Sequence, residues 1–113
     1  MPQHLEALAI ANEVRAVRRD VKRRVATGET TVPEVLADPP AELANMPIHD
    51  LLIAQRNWGE DRTGRLLKSV GVSPLRTVGQ LTVRQCQVIG YRLSMGPGDW
   101  VVAEWVAERN RAA

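Results

Sequence analysis

The chain has a single cysteine, Cys86, and two histidines, His4 and His49, placed far apart. One thiol excludes an intrachain disulfide, and this set of soft donors excludes a zinc site built on cysteine and histidine. No cofactor and no structural metal is expected. No stretch approaches about 18 consecutive apolar residues, the length a membrane-spanning helix needs. The N-terminus carries charge where a signal peptide would carry its apolar run, so a soluble, cytoplasmic protein is expected. No segment alternates apolar and polar residues for long enough to predict a strand, and no internal repeat or low-complexity stretch is visible. The remaining class is all-α, and 113 residues suffice for one core without covalent staples.

What the chain does have is segregated charge. The formal net charge is only +2. From Val14 to Arg24, however, six bases (Arg15, Arg18, Arg19, Lys22, Arg23 and Arg24) face one acid, Asp20. From Val25 to Asp61, seven acids face one base, Arg56. From Arg62 to Gly98 there are six bases (Arg62, Arg65, Lys68, Arg76, Arg84 and Arg92) and no acid. Two basic blocks flanking an acidic one suit a phosphate-binding surface with its acids turned away. Charge alone also fits solvated helix faces, and both readings stay open at this level.

Apolar residues Ile10, Val14, Val17, Val21 and Val25 recur at spacings of three and four, predicting one helix over residues 3–26 that ends at Gly28. Thr31 and Glu34 have capping-box spacing around Pro33, predicting a short helix that Asp38-Pro39-Pro40 stops. A helical turn over 41–45 and a helix over 48–55 follow. Glu60 to Val70 reads as the next helix, closed by Gly71. Ser73-Pro74 opens a turn that includes Arg76 and Thr77, and Thr82 with Gln85 caps a helix running to Leu93. After Gly96-Pro97-Gly98, Asp99 is placed to cap a last helix carrying Trp100, Val101, Trp105 and Val106 on one side. These breaks predict a helical domain over 1–95 and a helical extension over 96–113. Trp58 and Cys86 read as core residues. The tryptophans of the extension read as packing residues or, if exposed, as a partner surface.

The stretch "NWGEDRTGRLLKSVGVS" holds a glycine turn opening a helix. Backbone N–H groups and the helix dipole there suit a phosphate, while Arg62, Arg65 and Lys68 can reach neighbouring ones. Such contacts position a protein without reading bases. In order and spacing, "ANEVRAVRRDVKRRVATGET", "VPEVL", "MPIHDLLIAQ", the glycine turn, "PLRTVGQL" and "TVRQCQVIGYRL" together resemble the actinobacterial-type integration host factors. These are small nucleoid-associated proteins built on a helix-two-turns-helix motif. The resemblance covers roughly residues 7–93. It implies a protein, expected to be monomeric, that binds double-stranded DNA with little sequence preference and bends it. Asn57 and Gly59 in the first turn, Arg62, Arg65 and Lys68 on the helix after it, Arg76 and Thr77 in the second turn and Arg84 on the last helix would then be DNA-binding residues. Arg15, Arg18, Arg19, Lys22 and Arg23 would form a further basic face.

The chain departs from the family pattern at named places. Glu60 and Asp61 follow Gly59 where the family has Lys or Arg. Thr77 and Gly79 stand at two positions where it commonly has arginines. Residues 94–113 have no counterpart. A divergent, phage-carried copy is one origin that fits. The rival expectation is a protein-interaction module on the same fold that acts on a host nucleoid or DNA-processing protein, with Trp100 and Trp105 as its contact; structured RNA is a third possible ligand. Met1-Pro2 would expose an N-terminal proline, as in formamidopyrimidine-type DNA glycosylases. Gln3, however, stands where those enzymes have an acid, and the chain is too short for their β-rich domain, so no enzymatic activity is expected.

Overall fold

The computed structural model describes residues 3–94; the helix expected from Asp99, with Trp100 and Trp105, lies outside them. Among the described residues there are five α-helices, two short 3-10 turns and no strand. The all-α expectation holds.

Helix α1 (Gln3–Thr27) carries an acid, Glu6, in its first turn and Arg24 in its last, each matched to the dipole. Its apolar stripe meets the body only over the second half. Val21 and Val25 are buried, Val14 and Val17 are half-buried, and Ile10 is 62% exposed. The reason is length. Twenty-five helical residues span about 37 Å, whereas the element they pack on, the 3-10 turn Ala41–Leu43, has only three residues. Helix α2 (Val32–Ala37) is capped by Thr31, whose hydroxyl accepts from the Glu34 N–H, with Pro33 in the first turn. It packs on α5, while α1 packs on the 3-10 turn Ala41–Leu43.

Helix α3 (Ile48–Ile53) stops two residues short of the sequence expectation. Gln55 supplies the cause, because its backbone N–H and its side-chain amide both donate to the Leu52 carbonyl and tighten the last turn. Asn57 then takes a left-handed conformation, φ 66°. Helix α4 (Glu60–Val70) has the expected bounds. It ends in a Schellman motif: Gly71 sits at φ 70°, its N–H reaches the Lys68 carbonyl, and Val72 N–H reaches that of Leu67. Buried Val72 adds the apolar contact of that motif. Helix α5 (Val83–Leu93) opens on the expected box, with Thr82 and Gln85 bonding each other's backbone N–H.

The core gathers Leu43, Met46, Ile48, Leu51, Leu52, Leu66, Leu67 and Ile89, each at most 1% exposed. A buried leucine contributes about 1.5–3 kcal/mol, so the contacts of α3, α4 and α5 dominate the fold. Trp58 packs against this core from a half-buried position, as expected. Cys86 is half-buried instead of fully buried, because it lines a groove between α2 and α5, where desolvation pushes its thiol pKa up.

Candidate nucleic-acid interface

Helix α3 is short, but its first turn is where two loops meet. Ile48 N–H donates to the Arg76 carbonyl at 2.8 Å. The next residue, His49, places its Nε2 3.8 Å from Glu60 Oε1 at the head of α4. The glycine turn and the Arg76 turn therefore abut the same helical turn. Further bonds fasten the second loop: Val78 N–H to the Met46 carbonyl and Gly79 N–H to that of Ala44, both 2.9 Å. Thr77 pairs with Pro47 as an isolated bridge and gives its N–H to Gln80 Oε1. The turn expected from Ser73-Pro74 closes on Arg76, whose N–H returns to the Ser73 carbonyl, and Thr77 follows as the N-cap of the 3-10 turn Val78–Gln80. Thr77 and Gln80 form a capping box at the start of that 3-10 turn.

The first loop is organised differently from its sequence. Its left-handed residue is Asn57, whereas Gly59 is extended (φ −103°, ψ −174°) and caps α4 without a side chain. A Cβ at Gly59 would meet nothing within 4 Å. Neither backbone geometry nor packing demands glycine there. Its smallness leaves open the approach to the α4 N-terminus, where the first intrahelical bond, from Thr63 N–H to Gly59 O, leaves the N–H groups of the preceding three residues outside the ladder. Gly59→Ser would add a capping oxygen and should raise stability by a few tenths of a kcal/mol, roughly 1–2 °C in melting temperature, while weakening duplex binding several-fold. Melting and duplex titration check this; higher melting with unchanged affinity would make the turn a plain connector.

The basic residues divide by what they already hold. Arg62 is half-buried with its guanidinium 4.2 Å from the Trp58 ring centroid, and its Nε is buried without a hydrogen-bond partner. Arg65 and Lys68 are exposed, and Arg65 Nε donates weakly to the Asp61 carbonyl at 3.4 Å. On α1, Arg18 Nε donates to the Glu42 carbonyl at 2.8 Å and so fixes α1 to the 3-10 turn. Arg23 bridges Asp20 and Glu29, and its hydrogen bond to Asp20 is the main cause that holds its pKa up. Arg15 bonds Asn12. Among the described residues, Arg19, Lys22, Lys68, Arg76, Arg84 and Arg56 have side chains that make no hydrogen bond or ion pair to the protein, which leaves them open to an outside anion. Arg56, beside the left-handed Asn57, was not singled out from sequence; its place in a predominantly acidic block concealed it. The α1 face joins the 41–48 segment at its start, through Glu42, and the two turns join it at its end.

No protein-family model matches the sequence, and no curated protein does so at a significant level. A solved structure described as sIHF bound to an 8-base-pair palindromic DNA does match. The TM-score is 0.69 at 22% identity, covering 74% of this chain and 97% of that one. The fold is similar to that of sIHF. Almost the whole of sIHF is therefore matched within this longer chain, and the fold implied by the family resemblance is the fold observed. No helix among the described residues is long and apolar enough to cross a membrane, and none of their His, Cys, Asp and Glu side chains cluster in a group that could hold a metal ion.

Proposed function

We propose that this protein binds double-stranded DNA through its phosphate backbone, with little sequence preference, and bends it as an architectural, nucleoid-associated protein. The observation that carries the reading is the convergence of two loops on the first turn of α3. The uncapped N-terminus of α4 reaches that turn through Glu60 and His49, and the loop of exposed Arg76 reaches it through the bond from Ile48 N–H. The first offers backbone donors with a favourable dipole, the second a guanidinium with no hydrogen-bond acceptor among the described residues, and both suit phosphate oxygens. Arg65, Lys68 and Arg84 extend the cationic surface, and Arg19 and Lys22 can add contacts from α1 if the duplex curves toward it. Asn57 and Thr77 shape the loops, Arg62 braces the first one against Trp58, and Arg15, Arg18 and Arg23 contribute charge from positions tied to α1. A monomer without enzymatic activity, working in a bacterial cytoplasm, is part of the proposal. A phage-encoded origin would fit it too.

Titrating labelled duplex DNA, duplex RNA and single strands at several salt concentrations tests this. Duplex DNA should bind tightest, with log K falling against log salt at a slope of about −3 to −5, the value for about three to six neutralised phosphates. The rival reading, a protein-interaction module, draws on the acids Glu60 and Asp61 at the α4 head. It also draws on the groove of about 490 Å³ lined by Pro33, Leu36, Leu81, Val83 and Cys86. A salt-independent affinity, or no duplex binding below about 10 μM at 50 mM salt, would favour it.

A further inference from the structure

Six large apolar residues among those described are exposed: Leu5, Leu8, Ile10, Leu75, Val83 and Tyr91. Five of them stand on helices α1 or α5, and Leu75 alone stands in a loop. At 79%, it is also the most exposed. Nothing in the fold calls for leucine there: its backbone N–H bonds the Ser73 hydroxyl, which any residue other than proline could do. The loop that carries it is nonetheless stiff. Pro74 restricts the preceding backbone, Arg76 N–H returns to the Ser73 carbonyl, and the next residues are bonded to Ile48, Met46 and Ala44. Leu75, Arg76, Ser73 and Gln80 line one shallow depression. An apolar side chain held forward on a rigid loop, with a guanidinium and an amide on the same surface, has the composition with which architectural proteins enter the minor groove and unstack a base step.

Resting on the DNA-binding reading above, we propose that Leu75 is an intercalating wedge, inserted from the minor groove between two stacked base pairs of a duplex whose backbone Arg76 holds. The wedge converts binding into a localised kink. It favours flexible pyrimidine–purine steps, where unstacking is easiest, without a base-specific hydrogen bond. The resulting preference is one of deformability and would accompany an otherwise sequence-tolerant grip.

The test uses the full chain and a short duplex carrying 2-aminopurine beside a central TA step, with end-to-end energy transfer reporting the bend. The wild-type protein should raise 2-aminopurine fluorescence and shorten the end-to-end distance. Leu75→Ala should abolish the fluorescence rise and reduce the bend by about half or more. Its duplex affinity should fall by no more than about fivefold with the salt slope unchanged, because no phosphate contact is removed. Leu75→Phe should restore the fluorescence rise. Since Leu75 is exposed, both variants should melt with the wild type. If Leu75→Ala binds with the same fluorescence and bend as the wild type, the wedge is overturned and the DNA-binding reading stands. If the wild type fails to bind duplex even at low salt, both fall.

Discussion

Replacing Arg76 by alanine should lower affinity for unrelated duplex sequences by one common factor, on the order of tenfold to a hundredfold. The side chain is exposed and has no hydrogen-bond acceptor among the described residues, and its backbone is bonded on both sides, to Ser73 and Ile48. Truncation therefore leaves the loop in place and removes a charge-assisted bond of about 1.5–3 kcal/mol. Melting should change by less than about 0.5 kcal/mol equivalent, as for an exposed substitution. Equilibrium titration of several unrelated duplexes decides the matter. A loss confined to one sequence would mean that Arg76 reads a base edge, and no loss at all would remove this loop from the interface.

Gly79→Arg should be the most damaging single change in this region, although by family resemblance it would put back an arginine. A Cβ on Gly79 would lie 2.9 Å from the Ala44 carbonyl oxygen and 3.2 Å from its Cβ, both fixed by the bond from Gly79 N–H to that same carbonyl. Backbone has to move, at about 1–3 kcal/mol, which for a domain of this size lowers the melting temperature by roughly 5–20 °C. The added charge should bring no matching gain in affinity, because the shift disturbs the mounting of Arg76. Thr77→Arg is the comparison: Thr77 is half-buried and its side chain belongs to the capping box with Gln80, so this change should tighten duplex binding at a cost of about 1 kcal/mol, with no backbone clash. Thermal melts of the two variants suffice, and equal melting of Gly79→Arg and wild type would refute the close approach.

What could be read from the sequence was what depends on neighbours along the chain. Helices α4 and α5 have the expected bounds because Gly71 and the Thr82–Gln85 box act within a few residues. The stripe on α1 was equally legible, but the point where the body stops covering it was not, since that depends on the size of the rest of the fold. Contacts between distant segments were hidden. No local pattern shows that residues 76–79 would be bonded along 44–48, that Arg18 would hold the Glu42 carbonyl, or that Leu75 would face solvent. The glycine turn was recognised, yet its left-handed residue is Asn57, because both asparagine and glycine tolerate that conformation and sequence order does not choose between them.

The central claim is that the α4 head, which meets the first turn of α3 as the Arg76 loop does, receives a phosphate backbone, and Glu60 and Asp61 bear on it most directly. Both acids lie in the first turn of α4, where each is favoured by the dipole by about 0.3–1 kcal/mol, and both are exposed. They suit the helix and repel an incoming phosphate. The deciding measurement is the duplex affinity of Glu60→Gln/Asp61→Asn at low salt, taken with its melting temperature. The variant is expected to bind several-fold tighter while melting slightly lower. Unchanged affinity with lowered melting would contradict the claim and reduce the first loop to a connector between packed helices.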